Sequence, residues 1–257
     1  MIDLEKAEKI FDEYVSHYDD NDAKTVLKKH HTKRVQKEAK EIAEYLKLAE
    51  EDRKLAELIG LLHDIGRFEQ LKRYHTFSDR NSVDHAELGL EILFQDGYIR
   101  KFVEDEQYDD IIYKAIHNHN KYKIEEGLTE KELLHSKIIR DADKLDILKL
   151  IRTEPLETLF NKKEITNEEI SKEVYEQTLN CQTIERSFVK TDLDSWLVDI
   201  AFIFDMYFPI SFKKVKENGY IHDLIARIDY KEETTREKMK KIEQVAYEYM
   251  QKRIEEG

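Results

Sequence analysis

The sequence is short of the residues that break chains into tight turns: its 257 positions include only two prolines and seven glycines. Folds built from many short strands and hairpins depend on both, so a β-rich architecture is excluded. A single cysteine, Cys181, rules out an intrachain disulfide framework, and a reducing, cytoplasmic setting is expected. The acidic start MIDLEKAEKIFDEY carries neither the basic nor the apolar region of a secretory signal. Long apolar runs are scarce too. The one candidate, residues 193–210, contains Asp194, Asp199 and Asp205, which are costly in lipid. It is expected to be a buried core helix with Trp196, Phe202, Phe204 and Phe208 as packing residues, and no membrane partner is expected.

What the chain has in abundance is charge, at 39% of residues, with 56 acidic against 43 basic side chains and a formal net charge of −13. A long nucleic acid is excluded as a partner on that balance, because binding one relies on Lys and Arg displacing condensed counterions. A small anion remains compatible where a bound cation reverses the local field. The rest is rich in Glu, Lys, Leu and Ile, good helix formers, and no internal repeat or low-complexity linker interrupts it. The expected fold is all-α, one domain over residues 1–257, long enough to bury a large core without staples.

Apolar residues recur at helical spacing in Leu4, Ala7, Phe11 and Val15, and again in Leu27, Val35, Ala39, Ile42 and Leu46, a stripe that includes His31. A third helix is expected from about Asp52 to His63, with Leu55, Leu58, Ile59 and Leu62 inward and Gly66 as a left-handed stop. Residues 67–81 read as a loop, after which Ser82 caps a helix bearing His85, Leu88, Gly89 and Ile92. From a start at Asp109 or Asp110, Ile112, Ala115, Ile116 and His119 share one face, and His117 lies about 160° away from His119. Leu134, Ile138, Asp141, Leu145 and Leu148 follow on one stripe, which Pro155 ends. Supporting helices are expected over about 167–180, 193–208 and 235–254. The mixed charges after Lys231 read as a solvated helix face, and Cys181 has no catalytic context.

Five groups, His31, His63, His85, His119 and Asp141, therefore stand at inward or helix-end positions. Each would cost about 1–3 kcal/mol if left unpaired there, and a shared metal site satisfies all at once. Imidazole and carboxylate donors together suit Mn, Fe, Co, Zn or Mg.

These residues sit in five linked pieces: His31-Thr32-Lys33-Arg34-Val35, Leu61-Leu62-His63-Asp64-Ile65-Gly66-Arg67, Asp84-His85-Ala86-Glu87-Leu88-Gly89, Ala115-Ile116-His117-Asn118-His119-Asn120 and Ile139-Arg140-Asp141-Ala142-Asp143-Lys144-Leu145-Asp146. In order and spacing they resemble the HD superfamily of metal-dependent phosphohydrolases. The resemblance implies an HD-type catalytic core over residues 24–150, a helical bundle, with 151–257 as a helical extension packing on it. It makes His31, His63, Asp64 and Asp141 ligands of a first divalent ion, with Asp64 able to bridge to a second ion at His85 and His119. Asp143 is read as an orienting or cation-pairing residue. The paired histidines and GYP motif of the cyclic-dinucleotide phosphodiesterases are missing, and Arg67 replaces their lysine.

The implied chemistry is attack on phosphorus by water made acidic at the metal, with Asp64 and Arg67 as catalytic residues. Arg67 would neutralise phosphoryl oxygens with its planar fork. Arg73, His75 and Lys144 are further candidate substrate contacts, as is Asn118, and the loop from Arg73 to Arg80 mixes cations with aromatics suited to a phosphate and a base. The expected substrate is a phosphate ester or anhydride of a nucleotide or other small phosphorylated metabolite. Two competing readings are a di-iron oxygenase, which superfamily resemblance and the His85 and His119 pair keep open, and a non-catalytic ligand-binding regulatory domain, which would not need the full ligand set. The sequence does not fix the oligomeric state.

Overall fold

Helix-favouring composition carries through to the folded chain. In the computed structural model, which describes residues 2–19, 21–160, 162–166 and 168–257, helices account for the regular structure and no strand occurs among the described residues. The chain divides into two compact units, residues 1–143 and 144–257, and the division falls inside a long helix.

The first unit begins with α1 (Leu4–Val15), whose Asp3 N-cap accepts the Lys6 amide at 3.0 Å, and α2 (Ala23–Tyr45), capped in the same way by Asp22. Next come α3 (Glu50–Leu62) and α4 (Ile65–Tyr74). Three acidic residues in the first turn of α3, Glu50, Glu51 and Asp52, complement its dipole. On α1, Ala7, Phe11 and Val15 are fully buried, and Phe11 meets Phe68 of α4 edge to face at 5.9 Å, an arrangement worth about 0.5–1.5 kcal/mol beyond area burial. α2 and α3 lie side by side and approach so closely that a Cβ at Gly60 would sit 2.8 Å from Gln36 Cα.

The expected loop over residues 67–81 is instead largely α4. Gly66 does not terminate a helix. A Cβ there would fall 2.3 Å from the His85 carbonyl oxygen and 2.5 Å from the Gly89 amide nitrogen, so the glycine lets α4 touch the backbone of α5 (His85–Leu90). The left-handed ending falls nine residues later at His75, with φ of 56°. Asp84, rather than Ser82, caps α5, accepting the Ala86 amide at 2.9 Å. Its carboxylate reaches the second amide after the cap, as N-cap acceptors do, while the Ser82 hydroxyl donates to the Ser78 carbonyl. The unit is completed by α6 (Ile99–Phe102), α7 (Asp109–His119) and the first two-thirds of α8 (Glu130–Ile151).

In the second unit, α9 (Leu156–Phe160), α10 (Lys172–Leu179) and α11 (Asp192–Ile200) lead into α12 (Pro209–Glu217), α13 (Tyr220–Ala226) and α14 (Glu233–Glu255). Trp196 is fully buried and donates its indole N–H to the Leu224 carbonyl at 3.2 Å. The apolar run over 193–210 is not the single buried helix expected: Trp196 is fully buried, but Phe202, Phe204 and Phe208 are only half-buried. It passes through a 3-10 turn at Ala201–Asp205, and Phe208 is extended (φ −107°, ψ 138°) ahead of Pro209, as the residue before a proline must be. Pro209 then opens α12, where its missing N–H costs nothing. No helix among the described residues is long and apolar enough to cross a membrane.

Candidate metal centre

Six side chains from five elements converge in the first unit. His31 projects from α2, His63 caps the C-terminus of α3, Asp64 lies between α3 and α4, His85 opens α5, His119 ends α7, and Asp143 comes from α8. Asp64 stands at the N-cap of α4, yet its carboxylate accepts no capping hydrogen bond. An aspartate there ordinarily spends an oxygen on the helix, and this one turns both toward imidazoles. Oδ2 is 3.5 Å from His31 Nε2 and 3.4 Å from His63 Nε2, while Oδ1 is 3.3 Å from His85 Nε2 and 3.7 Å from His119 Nε2. The centre thus contains two fully buried donor sets, His31-His63-Asp64 and Asp64-His85-His119, with Asp64 in both; a third, partly exposed group, Asp79-Asp84-His85, adjoins it.

The imidazoles are aimed by their other nitrogens. His63 Nδ1 donates to the Gly60 carbonyl at 2.8 Å, His119 Nδ1 to the Ile116 carbonyl at 2.6 Å, and His85 Nδ1 to Asp79 Oδ2 at 2.7 Å. Carbonyl and carboxylate partners of this kind fix the tautomer and leave Nε2 as a bare donor facing inward. His85 Nε2 and His119 Nε2 then confront each other at 2.9 Å, two lone pairs that repel unless a cation stands by them. That arrangement, with a shared buried carboxylate, fits a divalent ion.

The charges tell the same story. Burial disfavours a charged His63, but Asp64 and Asp143 outweigh it and raise its pKa to about 9: the ionised carboxylates favour a positive charge between them. Burial, and then the Arg67 cation, push His85 down to about 4, and burial lowers His119. Burial alone would raise Asp64, yet Lys28 and His63 hold it well below the ordinary carboxylate range. Asp143 is likewise held low against its burial by hydrogen bonds from His31 and His63.

The second carboxylate within reach of the imidazoles is Asp143. Asp143 Oδ1 lies 3.1 Å from His31 Nε2 and 3.7 Å from His63 Nε2. Two residues apart on one helix, the side chains diverge by about 160°, so α8 can present only one to the centre. Asp141, the ligand expected from the sequence, is fully buried. The other expectations separate as follows. Arg67 reaches the rim, with Nε 3.6 Å from Asp64 Oδ1 and Nη1 donating to Asp79 at 2.8 Å and to the Phe77 carbonyl at 2.6 Å. Arg73 turns outward to Glu69 at 2.7 Å, and His75 is an exposed helix end. Lys144 pairs with Asp205 at 3.0 Å within the second unit. Asn118 is buried and ties α7 to the following loop, accepting the Glu125 amide at 2.9 Å.

Four contributors are not singled out as site residues by the sequence. Lys28, one turn before His31, contacts Asp64 Oδ2 at 2.5 Å. Asp79 bridges His85 and Arg67. Gln70, fully buried, donates to Asp79, the Ser82 hydroxyl and the Val83 carbonyl, each at 2.9 Å, and so binds the connection ahead of α5 to α4. Arg140 donates to the Asn118 and Lys121 carbonyls at the end of α7, fixing the turn that carries His119. The only available signal for Lys28 was its i, i+3 spacing to His31 on the same face.

The four imidazoles and Asp64 are all but inaccessible, whereas the side chains of Lys28, Arg67 and Asp143 keep 17%, 15% and 14% of their surface exposed. Those three mark the side on which the centre opens to solvent.

Residues 29–148 match the model of the family described as HD domain. The match is consistent with the HD superfamily of metal-dependent phosphohydrolases, and most of it falls on the converging helices of the first unit. No curated protein and no solved structure matches the chain.

Proposed function

We propose that this protein is a metal-dependent phosphohydrolase acting on a phosphate ester or anhydride of a nucleotide or other small phosphorylated metabolite. The observation that carries the reading is Asp64, a buried carboxylate whose two oxygens each face their own pair of imidazole Nε2 atoms. His31, His63, Asp64 and Asp143 would hold one divalent ion, and Asp64, His85 and His119 a second. Bound there, a divalent ion supplies Lewis acidity that makes water a nucleophile near neutral pH and offsets phosphoryl charge.

The chain's own groups do the rest. Arg67 Nη1 is committed to Asp79, but its Nε–H is buried and has no hydrogen-bond acceptor among the described residues, so it is ready to donate to a phosphoryl oxygen beside Asp64. Packing around the imidazoles excludes bulk water and strengthens these interactions. A net charge of −13 favours a small substrate over a polymeric anion.

The test is a screen of nucleotides and simple phosphomonoesters with purified protein under Mn, Co, Mg and Fe. Turnover of at least one compound with at least one metal, abolished in Asp64→Ala, is expected; no metal-dependent turnover across the screen would refute the reading.

A further inference from the structure

Lys28 has no part in the ligand sets, yet its ammonium makes the shortest polar contact of the centre, 2.5 Å to Asp64 Oδ2. That oxygen is the one facing His31 and His63, where a divalent ion would bind. Both cations cannot hold it together, since a like charge a few ångströms away is strongly repelled in a dry site. Lysine is suited to move: its compact charge rides on four flexible carbons, and this one keeps a path to solvent. The Lys28 ammonium and the Arg67 guanidinium both stand 5.8 Å from the centre of the Phe77 ring, so the two cations flank one aromatic wall of the entrance.

Charge balance says what Lys28 does once displaced. With a divalent ion bound among the imidazoles, the carboxylates of Asp64, Asp79 and Asp143 face the ion, Lys28 and Arg67, leaving one positive charge in excess. An anion completes the set, and the tethered ammonium is beside the place where it binds. We propose that Lys28 is a phosphate-binding residue that the metal-free protein parks on Asp64: the arriving divalent ion takes the carboxylate and releases the ammonium to the substrate's phosphoryl oxygens. The proposal rests on the phosphohydrolase reading for its choice of anion.

The experiment is calorimetric titration of the full chain with Mn²⁺ alone, then of the Mn²⁺-loaded protein with inorganic phosphate, in wild type, Lys28→Met and Lys28→Arg. Removing a competing charge-assisted contact should make Lys28→Met bind Mn²⁺ about tenfold more tightly. The same variant should bind phosphate at least about tenfold more weakly, as expected for a lost charged hydrogen bond, while Lys28→Arg should keep phosphate affinity near wild type. Unchanged or weakened Mn²⁺ binding in Lys28→Met would overturn the exchange, and unchanged phosphate affinity would overturn the handover. If both affinities shift as expected but no phosphate compound is turned over, it is the hydrolase reading that fails and Lys28's role in anion binding stands.

Discussion

Replacing Gly66 by alanine separates two opposing effects of one methyl group. Gly→Ala favours folding by up to about 1 kcal/mol through propensity alone, the full value applying to helix interiors and Gly66 lying in the first turn of α4. At Gly66 the new Cβ would lie 2.3 Å from the His85 carbonyl oxygen and 2.5 Å from the Gly89 amide nitrogen. Carbon and carbonyl oxygen normally approach no closer than about 3.3 Å, so α4 and α5 must part by about 1 Å. Both sides of the clash are backbone and no side chain can rotate away, which places the cost near the top of the overpacking range, about 3 kcal/mol. The net loss is about 2 kcal/mol, a drop in melting temperature of roughly 4–8 °C for a chain of this size. Because His85 leads α5, the same displacement moves its Nε2 away from Asp64, and Mn²⁺ affinity should fall by about tenfold or more, given what a misplacement of about 1 Å costs. Circular dichroism melts and Mn²⁺ titration read both effects. Gly97→Ala is the control: it has φ of 73° and nothing within 4 Å of the added Cβ, so it should lose only about 1–2 kcal/mol to left-handed strain and leave Mn²⁺ binding alone. A Gly66→Ala protein that melts at or above wild type, with wild-type metal affinity, would refute the reasoning.

Asp143→Asn should weaken Mn²⁺ binding at least about tenfold, whereas folded Asp141→Asn should bind the metal as wild type does; loss in Asp141→Asn with none in Asp143→Asn would return the ligand to Asp141. Asp79→Asn, which replaces the acceptor of His85 Nδ1, should cost about 10–100-fold in metal affinity, measured by competition with a chelating dye, and no change would show that His85 is oriented by packing alone. Stability should also fall in acid through His135. Burial, against the weaker pull of Asp52, lowers its pKa from 6.5 to about 4, so the unfolded chain takes up the proton first. The neutral ring's contribution is intact above about pH 6.5 and lost progressively toward pH 4, up to about 3 kcal/mol. His135→Phe should flatten urea-derived stability against pH across that window, and an unaltered profile would sink the assignment.

The helical fold was legible because composition and period agree along the whole chain, and the stripes of α1 to α3 sit where the apolar spacing puts them. The centre was harder to read, since spacing locates a residue on a helix but not the helix against its neighbours. His119 was separable from His117 because the Ile112, Ala115 and Ile116 stripe defines the inner face of α7. α8 offers no such contrast: residues 138–142 are all buried, so Asp141 and Asp143 could be told apart only by which one met His31. Gly66 reads as a helix stop in a single chain because the backbone that needs its missing Cβ is some twenty residues away. Lys28, Gln70 and Asp79 act through contacts between segments that no local pattern encodes, and α12 and α13 are too short to show a sustained period.

The position of Asp64 in both donor sets means that the two halves of the centre cannot fill independently. One carboxylate has one negative charge to share. The His31 side also has Asp143, whereas the His85 side has neutral imidazoles and what remains of Asp64 once a first ion is bound. Loading should therefore be stepwise, with the His31 side saturating first and the His85 side responding to metal concentration across a higher range. By thermodynamic reciprocity, an ion on the second side loosens the first by the same factor. Metal supply would then set not simply whether the protein is loaded, but whether it holds one ion or two.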